Sequence, residues 1–209
     1  MRKDMMAGAA AVGAALVGGA LVYYLREKLT EEPDYRALAS DGDFQIRGYP
    51  AMTVAETVVF GPRKRALDEG YRALARYISA RTRKGEQLPM MVPVMQDSGD
   101  PMASDPPLFD DELQGGWRTR FVMPAGRSRD DLPLPDEGVE LVELEPRRVG
   151  VVSFSGRPGD RGLAEQEDRL RGWLARHGEA SEAEPEYAFY NSPVIPGPLR
   201  RNEVWLALN

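Results

Sequence analysis

Two stretches of this chain, 95 positions apart, repeat one pattern of apolar residues, and this repeat limits the possible folds more than any other feature. FQIRGYPAMTVAETVVFG, residues 44–61, aligns over eighteen residues without a gap with VELVELEPRRVGVVSFSG, residues 139–156. Apolar positions coincide, as at Val54 and Val149, and the central prolines differ by one place. Two short alternating runs around a proline predict a β-hairpin in each copy.

A helical pattern and two more strand candidates follow each copy. The apolar helix faces consist of Leu67, Tyr71, Leu74 and Ile78 in the first half and of Leu163, Leu170 and Leu174 in the second. The strand candidates are MMVPVMQ, WRTRFVMP, EYAFYNS and NEVWLALN. We therefore predict an α+β fold in which a β-β-α-β-β unit occurs twice, over about 34–124 and 139–209. Because one copy cannot bury both its helix and its sheet face, the halves should pack under pseudo-two-fold symmetry, with a cleft between helix and sheet.

The first thirty residues contain nineteen consecutive residues without a charge, from Ala7 to Leu25. A helix of that length spans roughly 28 Å, which is close to the hydrocarbon thickness of a bilayer. We predict a single-pass transmembrane anchor over residues 1–29 and a separate domain over residues 30–209. A cleaved signal peptide and a soluble tail are the alternatives. Basic residues flank the segment equally, so the side of the membrane stays open.

Composition excludes several classes of function. The net charge of −6 argues against nucleic-acid binding, which depends largely on Lys and Arg displacing counterions. The chain has no Cys, which excludes disulfides, thiolate metal sites and cysteine catalysis. Its one histidine, His177, lies beside Gly178 at the predicted end of the second helix. Helix capping is the simplest role for His177, and a metal or heme ligand is the weaker alternative.

Two carboxylates, Glu56 and Glu203, interrupt predicted strands. Glu203 alternates with Trp205, and a carboxylate beside an indole in a cleft can have a raised pKa and act as a general acid or base. The structural alternative for Glu203 is a salt bridge to Arg200, Arg201 or another arginine on a strand.

The first helix and the strand after it carry side chains that suit a flat ligand. They are the small-residue stripe Ala66, Gly70, Ala73 and Tyr77, the soft apolar residues Met90, Met91 and Met95, and the basic residues Arg63, Lys64 and Arg65. Each group also has a purely structural alternative. These alternatives are tight helix-to-sheet packing, filling of the core and a solvated basic face.

Ordered motifs from about Pro33 to Asn209 resemble the SOUL heme-binding protein family. They are DGDFQIRGYP with VAETVVFG, RALDEGYRALARYI, LPMMVPV, WRTRFVMP, RRVGVVSFSG and RRNEVWLAL. The resemblance implies a distorted eight-stranded β-barrel with two helices. It also implies noncovalent binding of heme or another tetrapyrrole in an apolar groove beside the first helix. Carried onto this chain, the groove involves Arg63, Lys64, Leu67, Tyr71, Met90, Met91 and Met95, and no histidine of the first half is present to ligate iron.

Two other functions stay open at this point. A related fold, the gyrase-inhibitor-like effector domain, includes members that hydrolyse small molecules with a cleft Glu. The chain would then be a hydrolase or a tetrapyrrole-modifying enzyme with Glu203 or Glu56 as the base. Alternatively, the chain is an interaction protein that its anchor places at a membrane surface. The sequence leaves the ligand and the oligomeric state open.

Overall fold

The computed structural model describes residues 29–99 and 116–209, which form nine strands and two α-helices. Their bounds are β1 (Arg36–Asp41), β2 (Phe44–Tyr49), β3 (Met52–Phe60), α1 (Arg63–Ile78), β4 (Val94–Ser98), β5 (Gly116–Val122), β6 (Glu140–Leu144), β7 (Arg147–Phe154), α2 (Asp160–Arg176), β8 (Glu186–Phe189) and β9 (Asn202–Leu208). The predicted β-β-α-β-β unit is confirmed as β2-β3-α1-β4-β5 and β6-β7-α2-β8-β9.

All nine strands form one antiparallel sheet in the order β1-β2-β7-β9-β8-β4-β5-β3-β6. The order is symmetric about the contact between β8 and β4, since β8, β9, β7 and β2 on one side match β4, β5, β3 and β6 on the other. Strand β1 lies outside the repeat. The expected eight-stranded barrel is therefore corrected to a nine-stranded open sheet, with β1 and β6 at its edges.

The predicted hairpins are wrong, because the two strands of each copy do not pair with each other. Instead β2 pairs with β7 and β3 pairs with β6. In both ladders the residue numbers of two paired residues add up to 196, as for Tyr49 with Arg147 and Met52 with Leu144. The two ladders therefore share one register. Each copy is thus one long strand that bends near its proline, Pro50 or Pro146, and continues in the same register. Proline cannot donate to a ladder, which suits a bend between two ladders.

The two copies therefore pair with each other twice, before and after their prolines, and we call this arrangement the crossing. The crossing forces the sheet to curl. Strands β2 and β3 are six places apart in the strand order, which corresponds to about 29 Å in a flat sheet. Tyr49 and Met52 are three residues apart, so they can be separated by at most about 11 Å. The two ends of the sheet must therefore approach each other. Both helices pack on one face, and we call the opposite face the inner face.

Three apolar clusters form the core. The inner-face cluster joins both halves and includes Val54, Val122, Val151 and Trp205. The second cluster packs α1 on its half of the sheet, and the third packs α2 on the other half. The predicted residues Leu74, Ile78, Leu163, Leu170 and Leu174 are all buried. Tyr71 is 39% exposed, so it lies at the margin of the α1 face.

The small-residue stripe of α1 faces the sheet. Ala66 and Tyr77 are fully buried, and Gly70 lies against Thr119 of β5. A Cβ atom added at Gly70 would lie 2.6 Å from the Thr119 hydroxyl oxygen and 2.8 Å from the Thr119 Cβ. Gly70 is therefore explained by close helix-to-sheet packing, which leaves no room for a ligand beneath this stripe.

We expect Gly70→Ala to lower the free energy of unfolding by about 1–3 kcal/mol, because α1 must move away from Thr119. The effect opposes the intrinsic preference of helices for Ala, which is worth up to about 1 kcal/mol. Gly172→Ala in α2 is the matched control. Its new Cβ would meet only the end of Arg176, at 3.6 Å, so it should be neutral or stabilising. Urea unfolding measures both variants, and an equal effect of the two would contradict the packing account.

The transmembrane anchor predicted for residues 1–29 falls outside the described residues apart from its last position. In the described ranges, none of the helices has the length and apolar character needed to cross a bilayer. The anchor therefore stays a prediction.

Candidate binding pocket between the helix N-termini

A pocket of about 440 Å³ opens on the helix-bearing face, where α1 and α2 both begin. Its lining residues are Pro62, Arg63, Lys64, Trp117, Asp160 and Tyr187. Trp117 of β5 and Tyr187 of β8 are half-buried and supply aromatic surface, and the remaining residues come from the two helix starts. The volume lies within the range of about 300–1,000 Å³ that is usual for small-molecule sites.

Arg63 is held in place by a buried glutamine. The Arg63 Nη1 donates to the Gln96 Oε1 at 3.0 Å, and the Gln96 Nε2 donates back to the Arg63 carbonyl oxygen at 3.0 Å. Gln96 is only 1% exposed. The Arg63 Nε donates to the Asp160 carboxylate, and the guanidinium lies 5.7 Å from the centre of the Tyr187 ring. The charge at the pocket wall is thus fixed in position.

Lys64 brings a second positive charge to the pocket. It is exposed and forms no ion pair with a residue in the ranges 29–99 and 116–209. The neighbouring Arg65 instead pairs with Glu69 one helical turn on and does not line the pocket. Lys64 can therefore pair with a negatively charged group of a ligand that enters the pocket.

An apolar strip continues from the pocket along α1. Lys64, Leu67 and Tyr71 follow one another at helical spacings of three and four, so they lie on one side of the helix. The Tyr71 ring meets Phe121 edge-on at 5.4 Å, and the Tyr71 hydroxyl donates to the Met90 sulfur at 3.8 Å. Leu67 and Met90 are half-buried against the α1 cluster.

The structure separates the predicted ligand residues into three groups. Arg63 and Lys64 line the pocket, and Leu67, Tyr71 and Met90 form the strip beside it. Met91 and Met95 are 3% and 1% exposed and belong to the inner-face cluster, on the other side of the sheet. We therefore leave Met91 and Met95 out of the candidate site.

Gln96, Trp117, Asp160 and Tyr187 were not predicted as site residues. Gln96 lies within a predicted strand, and the one available signal was a polar residue at the end of an apolar run. Trp117, Asp160 and Tyr187 lie on three other elements, so only the folded topology brings them to the start of α1. No local pattern in the sequence indicates that meeting.

Glu203 is an acceptor in a fully satisfied buried network. It is 0% exposed and accepts two hydrogen bonds from Arg47, at 2.9 and 3.0 Å. Four further side chains donate to it at 2.7–3.0 Å, namely Ser153, Tyr190, Arg201 and Trp205. Burial alone would raise the pKa of Glu203, but the bonds and charge of Arg47, followed by the charge of Arg201, lower it to about 2. The salt-bridge alternative is confirmed for Glu203.

Such a carboxylate is poorly suited to proton transfer, because a general base works best with a pKa near the working pH. Glu56 is also paired, accepting from the Arg120 Nε at 2.8 Å. Around it on the inner face, Asp97 pairs with Arg118 and Arg120, and Glu186 pairs with Arg147. These carboxylates of the inner face are thus all paired with arginines of the chain itself.

His177 ends α2 and lies away from the pocket. Its Nδ1 lies 2.9 Å from the Trp173 carbonyl oxygen, and its ring contacts the Trp173 ring at 4.2 Å. Asp160 begins the same helix, about 26 Å away along its axis. Among the described residues, no group of three or more His, Cys, Asp or Glu side chains is arranged to hold a metal ion.

A second pocket, of about 660 Å³, lies between residues 83–86 and 131–134. It contains none of the predicted residues. Arg83 in its wall already donates to the carbonyl oxygens of Tyr77, Lys84 and Glu86. Its lining has no aromatic ring, so it suits a flat ligand less well than the pocket at the helix starts.

Comparison with protein families identifies the class to which this chain belongs. The model of the SOUL heme-binding protein family matches residues 30–207. The chain is therefore a member of the SOUL heme-binding protein family, as its motifs indicated. The search of curated proteins found no match.

Solved structures share the fold at low identity. The C-terminal domain of EcmrR is 10% identical, with a TM-score of 0.58 over 84% of this chain and 98% of that chain. A hydrolase from Listeria innocua is 11% identical, with a TM-score of 0.55 over 82% of this chain and 94% of that one. EcmrR in a complex with DNA is 10% identical, with a TM-score of 0.57 over 100% of this chain and 69% of that one. These likenesses establish the fold alone.

Proposed function

We propose that this chain binds heme or a related tetrapyrrole noncovalently on the helix-bearing face, with the ligand's carboxylates in the pocket and its ring along α1. Family membership supports the ligand class. The observation that carries the location is the meeting of Arg63, Lys64, Trp117 and Tyr187 in one pocket.

The chemistry of the pocket fits such a ligand. A tetrapyrrole of the heme type is a flat apolar ring with two carboxylates on one edge. Arginine and lysine bind carboxylates through charge-assisted hydrogen bonds, and aromatic rings stack on flat ring systems. Arg63 and Lys64 would receive the carboxylates, while Trp117, Tyr187 and the strip of Leu67, Tyr71 and Met90 would contact the ring.

Recognition would then rest on the ring faces and the carboxylates. The only histidine, His177, is at the far end of α2, so it does not reach the pocket. Bound heme would supply an iron centre with redox and ligand-binding chemistry. The residues of this chain would hold the macrocycle and fix its orientation.

Titration of the purified chain with hemin tests this function. We expect a saturable change of the Soret band near one equivalent, because the pocket is a single site. Hemin dimethyl ester, which has no free carboxylates, should bind at least about tenfold more weakly, since it cannot pair with Arg63 and Lys64. The absence of any saturable change would refute tetrapyrrole binding. Equal affinity for the ester would refute the role of the two cations.

A further inference from the structure

The cation most firmly fixed in the pocket, Arg63, already has a carboxylate partner from the chain itself. Arg63 is the first residue of α1 and Asp160 is the first residue of α2, so the ion pair joins the starts of the two helices. The opposite charges of Arg63 and Asp160 let the two helix starts bind each other across the pocket.

The two partners differ in how firmly they are held. The Arg63 side chain is 10% exposed and is bound on its other side by the buried Gln96. The Asp160 side chain is 79% exposed, and Arg63 is its one ion-pair partner among the described residues. Because an ion pair with an exposed member contributes little to stability, the Asp160 carboxylate can leave at small cost while Arg63 stays in place.

We infer that Asp160 is an internal competitor for Arg63, so that a carboxylate ligand binds by displacing it. The inference rests on the proposed function and names the specificity-determining contact of that site. An incoming carboxylate competes with Asp160 for the Arg63 guanidinium, and it approaches the like charge of Asp160 while doing so. Ligands that bring two carboxylates gain a second partner, Lys64, whereas a ligand with one carboxylate or none competes less well.

A simpler role for Asp160 is stabilisation of the α2 N-terminus, where a negative charge is favourable. That role predicts a small change in stability on substitution and no gain in ligand binding. The two accounts therefore differ in whether substitution of Asp160 raises the affinity for the ligand.

The test compares hemin binding by the full chain, by Asp160→Asn and by Glu165→Gln. The two variants remove the same charge from α2, but Glu165 pairs with Arg161 on the helix surface and lies outside the pocket lining. We expect Asp160→Asn to lower the Kd for hemin by about three- to tenfold and Glu165→Gln to leave it within about twofold. In an Arg63→Gln background, Asp160→Asn should lose most of its effect, because Asp160 then has no Arg63 to compete for and only its repulsion of the ligand's carboxylates remains. Thermal unfolding checks that each variant is folded.

The outcomes distinguish failure of the competition by Asp160 from failure of tetrapyrrole binding, the proposed function on which it rests. If neither the parent chain nor Asp160→Asn binds hemin saturably, tetrapyrrole binding itself is refuted and the competition with it. If the parent chain binds and Asp160→Asn matches Glu165→Gln, or binds more weakly, only the competition is refuted. Retention of the full effect in the Arg63→Gln background would also overturn it.

Discussion

Glu203→Gln should lower the free energy of unfolding by about 3–5 kcal/mol. The change leaves the Arg47 guanidinium, which is 2% exposed, buried without its counter-ion. It also presents an amide NH2 group to a site where five side chains donate hydrogen bonds. Urea unfolding at neutral pH measures the loss.

Glu32→Gln is the matched control, because Glu32 also binds Arg201 but is partly exposed. We expect it to change stability by less than about 1 kcal/mol. A similar loss of stability from the two substitutions would show that burial of the Glu203 network does not increase its contribution to the free energy of unfolding.

The same network predicts how stability depends on pH. The pKa of Glu203 falls from its ordinary 4.5 to about 2 on folding, so its contribution is complete above about pH 4.5 and is lost as the pH falls toward 2. A depression of this size corresponds to roughly 3 kcal/mol. The difference in stability between the parent chain and Glu203→Gln should therefore narrow over that interval. A constant difference down to pH 2.5 would contradict the assigned pairing.

Lys64→Glu should weaken hemin binding by roughly ten- to a hundredfold. The substitution places a carboxylate in the pocket, where like-charge contacts with a ligand's carboxylates cost several kcal/mol at most. Arg65→Glu is the control, because it makes the same change in net charge one residue further along α1. Arg65 pairs with Glu69 and lies outside the pocket lining. Soret titration of both variants measures the effect.

For Arg65→Glu we expect a hemin Kd within about twofold of the parent value. Equal weakening by both substitutions would indicate a general effect of charge and no specific contact at Lys64. Circular dichroism of the two variants checks that the helix content of the chain is unchanged.

The sequence predicted the order of elements because that order follows from local periodicity. The 95-residue repeat identified β2-β3 and β6-β7 as equivalent pieces, and the helix spacings identified both helices. The pairing of the strands could not be predicted, since an alternating strand has the same pattern whichever strand lies beside it. The crossing at Pro50 and Pro146 therefore appears only in the fold.

The candidate site was predicted in part for the same reason. Arg63, Lys64 and Leu67 are close in sequence, and a basic helix start beside an apolar stripe can be read from one segment. Trp117, Asp160 and Tyr187 reach the pocket through long-range topology. Met91 and Met95 were assigned to the groove because the stretch MMVPV has no clear alternation, so the face of the sheet to which each residue belongs could not be read.

The indole NH signals of the three tryptophans provide the most direct test of where the ligand binds. Trp117 lies in the pocket, Trp173 lies on the buried side of α2 and donates to Asp41, and Trp205 lies on the inner face and donates to Glu203. On addition of paramagnetic hemin to the ¹⁵N-labelled chain, we predict that the Trp117 signal broadens first and most strongly. Loss of the Trp205 signal while that of Trp117 persists would place the ligand within the curled sheet and contradict the site between the helix starts.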